Sequence, residues 1–367
     1  MKTSTSQHNL FRRCRRQCFF AYYYGGTGVD FRKPYYSLEL GTALHAGMES
    51  LMRSVLLAQE KKTTIGEEAI LEAINASMRE WLRHEKAEFA DKGEEDGEAV
   101  LFSEGRDFLH MWIRGWARTR LPEFMSEFRI VHIEKEISVD LGGTEFRSRG
   151  DVVVRDFMGD AWLVDWKTTS NPKDWKSKWG TESQSWTQPF VAERVLELKI
   201  QGVIFEGFLK WKRPLLEFYQ NVDSGEVSTK YERGKNWEKV AVRDHVAFGD
   251  TPEARLKYWS GFLPAPKVRD AFLTNSKFEY DSTLADQWFS AAESLEKQIA
   301  GVVGRGDADE IRDFFYQSPG DFNCSRCVFK KVCFDRETID DMLAEGELKI
   351  RVDHHAAARG EKENVPE

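Results

Sequence analysis

Asp151, Asp165 and Lys167 lie within one short stretch of the sequence, RSRGDVVVRDFMGDAWLVDWKTTS, residues 147–170. The stretch reads as two strands joined by a turn, so Asp165 and Lys167 share one face of the second strand. The first strand carries Asp151 and can bring it alongside them. Two converging carboxylates suit a hard divalent cation, and a neighbouring amine can orient a water. The alternative is a surface strand that carries only an ion pair.

The rest of the 367-residue chain must position these groups. An N-terminal amphipathic helix is predicted in NLFRRCRRQCFFAYYY. Periodicity then predicts a helical region over 37–125, a catalytic sheet core over 128–220, a mainly helical region over 221–310 with a helix at 227–248, and a C-terminal helix with a disordered tail in 336–367. We therefore expect an α/β (α+β) fold with a mixed central sheet and large helical insertions, in a single domain over 1–335.

Composition narrows the class of protein. Twelve Trp and twenty-five Phe argue against general disorder. No apolar run reaches the roughly 20 residues that span a bilayer, and the N-terminus lacks the apolar segment of a signal peptide. We therefore expect a cytoplasmic protein with no membrane partner. The net charge of −8 does not favour nucleic-acid binding, although a local basic groove can lie on an acidic protein.

Basic residues that could line such a groove occur in several short clusters. Taken singly, each cluster is more typical of a solvated face than of a binding site. The nucleic-acid-binding candidates are Arg12, Arg16, Lys173, Lys176 and Lys178.

The hairpin resembles the core of the PD-(D/E)XK nucleases, and specifically their RecB-like branch. The resemblance rests on GD followed by VDWKTT, and on ELGTALHAGMES, where His45 stands in the G-x-x-x-H context of that branch. It implies that Asp151 and Asp165 bind Mg²⁺ or Mn²⁺, helped by His45 and the Trp166 carbonyl. It also implies that Lys167 positions and activates the attacking water. A lone helical histidine is otherwise more often structural.

A helix with the pattern Q-x-x-x-Y after the lysine is also typical of this branch. The candidate is Gln184 in ESQSWTQPF, where Gln188 stands in the position of the tyrosine. A rival match, Gln201 with Phe205, lies in a predicted strand. We therefore take Gln184 as the catalytic candidate, with contact to the DNA strand or ordering of Lys167 as its role.

Four of the five cysteines follow a pattern. Cys324, Cys327 and Cys333 form C-x2-C-x5-C, which in a cytosolic protein indicates metal rather than disulfides. Members of the same nuclease branch, among them the AddB-type nuclease domain and the small nuclease of CRISPR adaptation, hold a [4Fe-4S] cluster with one N-terminal and three C-terminal cysteines. By this resemblance Cys14 is the fourth ligand and Cys18 the spare. Zinc, or a chance triplet without metal, are the alternatives.

Together these motifs predict a metal-dependent DNA nuclease. An exonuclease that processes DNA ends or single strands in recombination or repair is the first choice, because the relatives mostly act there. The sequence has no G-x-x-x-x-G-K-[ST] motif, so unwinding would need a helicase or recombination partner. The alternatives are a catalytically silent DNA-end-binding subunit and a zinc-stabilised interaction protein. The intact set of Asp151, Asp165 and Lys167 argues against the silent subunit.

Overall fold

The fold is given by a computed structural model. It describes residues 2–31, 36–89, 97–169, 175–209, 218–224, 227–228, 236–240, 273–318, 320, 324–325, 327–335 and 337–351. The chain divides into two compact units, Met1–Pro34 with Ser138–Ser148 and Thr283–Glu367, and Tyr35–Ile137 with Arg149–Ser282. The single domain over 1–335 and the regions assigned within it stay predictions.

Helices and strands alternate in blocks along the chain. The helices are α1 (Thr5–Arg13), α2 (Arg15–Tyr22), α3 (Tyr36–Lys61), α4 (Glu67–Phe89), α5 (Gly97–Thr119), α6 (Leu121–Glu127), α7 (Trp175–Thr181), α8 (Gln184–Leu196), α9 (Ser282–Arg305), α10 (Ala308–Phe314) and α11 (Ile339–Ala344). The strands are β1 (Lys2–Ser4), β2 (Val29–Phe31), β3 (Phe128–Leu141), β4 (Thr144–Asp156), β5 (Ala161–Thr169), β6 (Ile200–Leu209), β7 (Phe218–Asn221), β8 (Val227–Ser228), β9 (Trp237–Val240), β10 (Leu273–Glu279) and β11 (Leu348–Ile350). Within the described part of the chain, no helix is long and apolar enough to cross a membrane.

A mixed sheet forms the centre of the second unit, in the order β4-β5-β6-β10. Strand β4 runs antiparallel to β5, and β10 runs antiparallel to β6. Strands β5 and β6 are parallel, with Asp165 opposite Phe205 and Trp166 opposite Glu206. Parallel neighbours need a crossover connection, and α7 and α8 lie within it. The predicted mixed central sheet with accompanying helices is confirmed.

Helix α3 buries one continuous apolar stripe in the core of this unit. The stripe recurs at steps of three and four residues, as one face of an α-helix requires, and its members are fully buried: Leu40, Leu44, Met48, Leu51 and Val55. Trp166 of β5 joins the same core cluster. Because side chains alternate along a strand, Asp165 and Lys167 lie on the opposite face of the sheet.

Gly47 lets α3 pack closely on its neighbouring helices. A Cβ at this position would lie 2.4 Å from Ile113 Cδ1 and 2.9 Å from Ser77 Cβ, whereas one at Gly41 would meet nothing within 4 Å. Alanine in a helix gains about 1 kcal/mol over glycine, but overpacking costs about 1–3 kcal/mol. We expect Gly47→Ala to unfold in urea with a free energy about 2 kcal/mol below that of Gly41→Ala. Equal stabilities would contradict this packing.

The first unit is built from three separate chain segments. Strand β1 pairs in parallel with the beginning of β4, and β2 pairs antiparallel with β11. A buried polar group joins β1, α1 and α9: the Thr3 hydroxyl donates to Glu296 at 2.8 Å, and His8 Nε2 lies 2.9 Å from the same carboxylate oxygen. All three side chains are almost fully buried. These contacts offset part of the cost of burying three polar side chains, while the second oxygen of Glu296 has no hydrogen-bond partner among the described residues.

The predicted N-terminal helix is wrong in one respect, because it is two helices rather than one. Cys14 adopts an extended backbone, with φ −158° and ψ 111°, between α1 and α2. Its N–H still donates to Leu10 and its carbonyl still accepts from Cys18, so the break is confined to one residue. Hydrophobic periodicity does not register a break this short.

The helix predicted at 227–248 is also wrong where the structure describes it. Residues 227–228 and 237–240 are strands β8 and β9, which flank β7 in a three-stranded antiparallel sheet. The segment WEKV has one apolar residue at each end and two charged residues between them, and runs this short do not separate strand from helix. Residues 241–248 and the predicted disordered tail, 354–367, lie outside the described residues.

Candidate active site

A histidine and two aspartates converge on the sheet of the second unit. His45 comes from α3, Asp151 from β4 and Asp165 from β5, and one donor atom of each lies within 4.8 Å of the others. His45 Nδ1 is 2.8 Å from Asp151 Oδ1. The prediction that a neighbouring strand brings Asp151 to Asp165 therefore matches the fold. Two carboxylates with an imidazole fit Mg²⁺ or Mn²⁺, and the nitrogen donor favours Mn²⁺.

The two aspartates differ in their electrostatic surroundings. Burial opposes ionisation of Asp151, but His45, a hydrogen bond with Asp165 and the charge of Lys167 outweigh it and hold its pKa below the ordinary value. Burial raises the pKa of Asp165; Lys167 opposes this effect, and the charge of Asp151 adds to it. Like charges held this close disfavour each other's ionised form. A divalent cation between them would remove that repulsion.

The backbone of β5 fixes the orientation of Asp151. The Trp166 N–H donates to Asp151 Oδ2 at 2.7 Å. With His45 on the other oxygen, both carboxylate oxygens are engaged and the side chain cannot rotate freely. The Trp166 side chain is buried in the core on the opposite face of the sheet, and its carbonyl as a metal ligand stays a prediction.

Lys167 and Gln188 hold the second carboxylate. Lys167 Nζ lies 2.6 Å from Asp165 Oδ2, and its side chain keeps a fifth of its surface exposed. The Gln188 amide donates to the same oxygen at 3.4 Å and to the Arg149 carbonyl at 3.0 Å. The Gln188 amide thus bridges two neighbouring strands, because it donates to a backbone carbonyl of β4 and to the Asp165 carboxylate of β5. This bridge restrains the carboxylate.

The glutamine in contact with the site is Gln188, which stands in the tyrosine position of the family pattern and was not the catalytic candidate. Gln184 is the first residue of α8, one turn earlier, and its catalytic role stays a prediction. Residues four apart share a helix face. Gln188, the last residue of QSWTQ, therefore lies on the same face of α8 as Gln184, and this spacing could have predicted the contact. The departure from the family pattern, a glutamine in place of tyrosine, marks the residue that reaches Asp165.

Two of the basic candidates lie in the first unit and have partners there. The Arg12 guanidinium lies over the Trp288 ring, 5.6 Å from its centre. Arg16 donates to the Phe315 carbonyl at 2.8 Å and to the Arg312 carbonyl at 3.4 Å. Arg16 therefore satisfies carbonyls at the end of α10, as basic side chains at helix C-termini commonly do. DNA contact by either residue stays a prediction.

The other basic candidates belong to the segment around α7. Lys178 is exposed, and its ammonium lies 4.4 Å from the centre of the Trp179 ring. Lys173 and the side chain of Lys176 lie outside the described part of the structure. Lys178 thus places an exposed positive charge in the same unit as the carboxylates. Its contact with DNA stays a prediction.

Removal of the imidazole is expected to weaken metal binding before it stops chemistry. His45→Ala should raise the Mn²⁺ concentration needed for half-maximal activity by about ten- to a hundredfold, because two carboxylates remain as ligands. The measurement is activity titrated against Mn²⁺ and Mg²⁺. Thr42→Ala is the matched control, since Thr42 lies on the exposed side of the same helix and donates to the Leu38 carbonyl. If the metal dependence of His45→Ala is the same as that of wild type, His45 has a structural role and is not a metal ligand.

The four patterned cysteines lie in the first unit and are partly buried. Burial raises the pKa of Cys327, and the charges of Cys14 and Cys324 raise it further. Burial likewise raises the pKa of Cys333 to about 11, with contributions from the other three thiols and an opposing one from Arg16. The four thiols are therefore near enough to influence one another. A bound metal would offset this mutual destabilisation of the thiolates.

Cys18 differs from the other four cysteines. It is fully buried, and its thiol lies 3.6 Å from the Gln7 carbonyl. Burial raises the pKa of Cys18 to about 12. The backbone break at Cys14 separates the two residues onto different helices, and it is the charge of Cys14 that acts on Cys327 and Cys333. Cys14 is therefore the better candidate ligand.

A sheet that presents two carboxylates and a lysine, with a histidine from an adjacent helix, defines a class of metal-dependent phosphodiester hydrolases. The family model of the PD-(D/E)XK nuclease superfamily matches residues 2–334. The chain belongs to this superfamily, whose members are generally metal-dependent nucleases that act on DNA. Among curated proteins, none matches the chain.

Proposed function

We propose that the protein is a RecB-like DNA exonuclease that hydrolyses phosphodiester bonds with Mg²⁺ or Mn²⁺. The observation that carries the nuclease assignment is the convergence of His45, Asp151 and Asp165 within 4.8 Å, with Lys167 2.6 Å from Asp165. The RecB-like branch is supported by the contact of His45, in its G-x-x-x-H context, with Asp151. The preference for DNA ends, and a helicase or recombination partner, rest on the resemblance to that branch.

Each residue of the site has a separate task in this proposal. Asp151, Asp165 and His45 would hold the cation, which would supply Lewis acidity and stabilise charge on the phosphate. Lys167 orients the attacking water and offsets the negative charge that grows on the phosphate. Gln188 keeps the Asp165 carboxylate, which Lys167 also contacts, in place through its amide.

We further propose that Cys14, Cys324, Cys327 and Cys333 hold a [4Fe-4S] cluster. Their mutual effect on pKa supports one shared metal site for the four thiols. The choice of a cluster over a single zinc ion, which accepts the same ligands, rests on the resemblance to the RecB-like branch.

The test of the function compares linear with closed circular DNA. Protein purified without oxygen is incubated with each substrate in Mn²⁺, in Mg²⁺ and in EDTA. We expect metal-dependent release of short products from linear DNA, with the circle left intact. Cleavage of the circle would make the protein an endonuclease. Binding to linear DNA without product, in either metal, would favour the catalytically silent end-binding subunit.

A further inference from the structure

Trp179 is held rigidly on the face of the sheet that carries the catalytic residues. Its ring stacks on Phe205, with centres 4.4 Å apart and planes at 16°, and Phe205 lies opposite Asp165 in the paired strands. Trp175, one turn earlier on α7, meets the ring edge-on at 5.4 Å. The Ser185 hydroxyl donates to the Trp179 carbonyl at 2.5 Å. Ring and backbone are therefore both fixed.

This ring lies next to the catalytic lysine. Lys167 Nζ is 5.8 Å from the centre of the Trp179 ring and 2.6 Å from Asp165 Oδ2. Trp179 itself is only 5% exposed. The ammonium thus has both a carboxylate and an aromatic ring near it, and it shares that ring with the Lys178 ammonium, which lies 4.4 Å from the ring centre. Tryptophan is the side chain whose ring attracts cations most strongly.

A flexible lysine needs such a contact to act as a fixed group. Its side chain carries about 2 kcal/mol of rotamer entropy, and a salt bridge to one oxygen leaves the four-carbon stem free to adopt several paths. When a cation binds Asp165, the carboxylate charge that attracts Lys167 is shared with the metal. The ring of Trp179 attracts cations without a formal charge of its own that the metal could neutralise, so its attraction for the ammonium remains in that state.

We propose that Trp179 is a positioning residue that holds the Lys167 ammonium in its working place once the metal has bound Asp165. This inference rests on the proposed nuclease function and assigns Trp179 no contact with DNA or metal. It predicts that loss of the aromatic ring slows the chemical step without changing metal affinity. A purely structural role for Trp179 would predict lower stability with an unchanged rate per folded molecule.

Single-turnover cleavage of linear DNA at saturating Mn²⁺ tests the effect on rate. Trp179→Leu is expected to lower this rate about tenfold, with an unchanged half-saturating Mn²⁺ concentration, and Trp179→Phe to stay within about threefold of wild type. Trp81→Leu is the matched control, because it removes a fully buried tryptophan of the same unit, whose ring lies against Gly105. It is expected to lower the melting temperature and keep the rate. Equal loss of rate in both leucine variants, or no loss in Trp179→Leu, would overturn the proposal.

A second measurement does not depend on activity. Reductive methylation with ¹³C-formaldehyde places reporter methyl groups on the lysines, and Lys167→Arg identifies the resonance of Lys167. The Trp179 ring current should shift that resonance, so it should move in Trp179→Leu and stay in Trp81→Leu. A resonance that does not move in Trp179→Leu overturns the positioning contact. Failure of the nuclease function appears differently, as a wild-type protein that cleaves no DNA while the resonance still moves.

Discussion

Asp165→Asn is expected to lower the rate of DNA hydrolysis by about a thousandfold while the protein stays folded. The substitution keeps the size of the side chain but removes a charged oxygen donor shared by the cation site and Lys167. Loss of one group that stabilises charge in the transition state typically costs about 10²–10³ in rate. The measurement is digestion of linear DNA at saturating Mn²⁺, with circular dichroism as the check on folding.

Stability separates this effect from damage to the fold. Asp151 and Asp165 are two buried carboxylates in contact, and like charges so placed destabilise each other. Without metal, Asp165→Asn is therefore expected to melt no lower than wild type. Asp156→Asn is the matched control in the same hairpin, where Asp156 accepts hydrogen bonds from the Met158 and Asp160 N–H groups. It should keep the wild-type rate. If Asp165→Asn digests linear DNA at the wild-type rate, Asp165 is not a residue of the active site.

Replacement of a cysteine of the proposed cluster is expected to have the largest effect on stability. Cys324→Ala should lose bound iron and melt at least about 10 °C below wild type, because metal binding by distant ligands contributes directly to folding free energy. Cys14→Ala should behave in the same way. The measurements are iron and zinc content, the visible spectrum, and the melting temperature of protein purified without oxygen.

Cys18→Ala is the matched control for the cysteine variants. It removes a buried sulfur from the apolar cluster around Phe11 and Phe315, which costs about 1 kcal/mol, but it should keep the metal. A brown protein that bleaches in air indicates the iron-sulfur cluster, and a colourless protein with stoichiometric zinc contradicts it. If the Cys18→Ala protein lacks metal and the Cys14→Ala protein keeps it, Cys18 rather than Cys14 is the fourth ligand.

The hairpin of β4 and β5 could be predicted because its conformation follows from residues close together in the sequence. Alternating residues and a turn place Asp165 and Lys167 on one face, and pairing of adjacent strands brings Asp151 beside them. Family context added His45, which the structure places 2.8 Å from Asp151.

What the sequence missed depends on contacts between distant segments. Gln188 reaches Asp165 only because of the path of the crossover between β5 and β6. Strand β11, three residues long, exists because it pairs with β2 more than 300 positions earlier. Strands β8 and β9 have apolar patterns too short to separate strand from helix. In each case tertiary pairing, rather than local propensity, determined the conformation.

The three-segment construction of the first unit has a consequence for the newly made chain. On the ribosome, residues 35–137 and 149–282 emerge before the last segment, so the second unit can fold first, as domains generally do during synthesis. The first unit must wait for residues 283 onward, which bring Glu296 to Thr3 and His8. At about 5–20 residues per second, the roughly 300 residues between Cys14 and Cys324 take tens of seconds to translate. During that time Cys14 has no cluster partners, and its thiol is open to oxidation or to a metal-delivery factor.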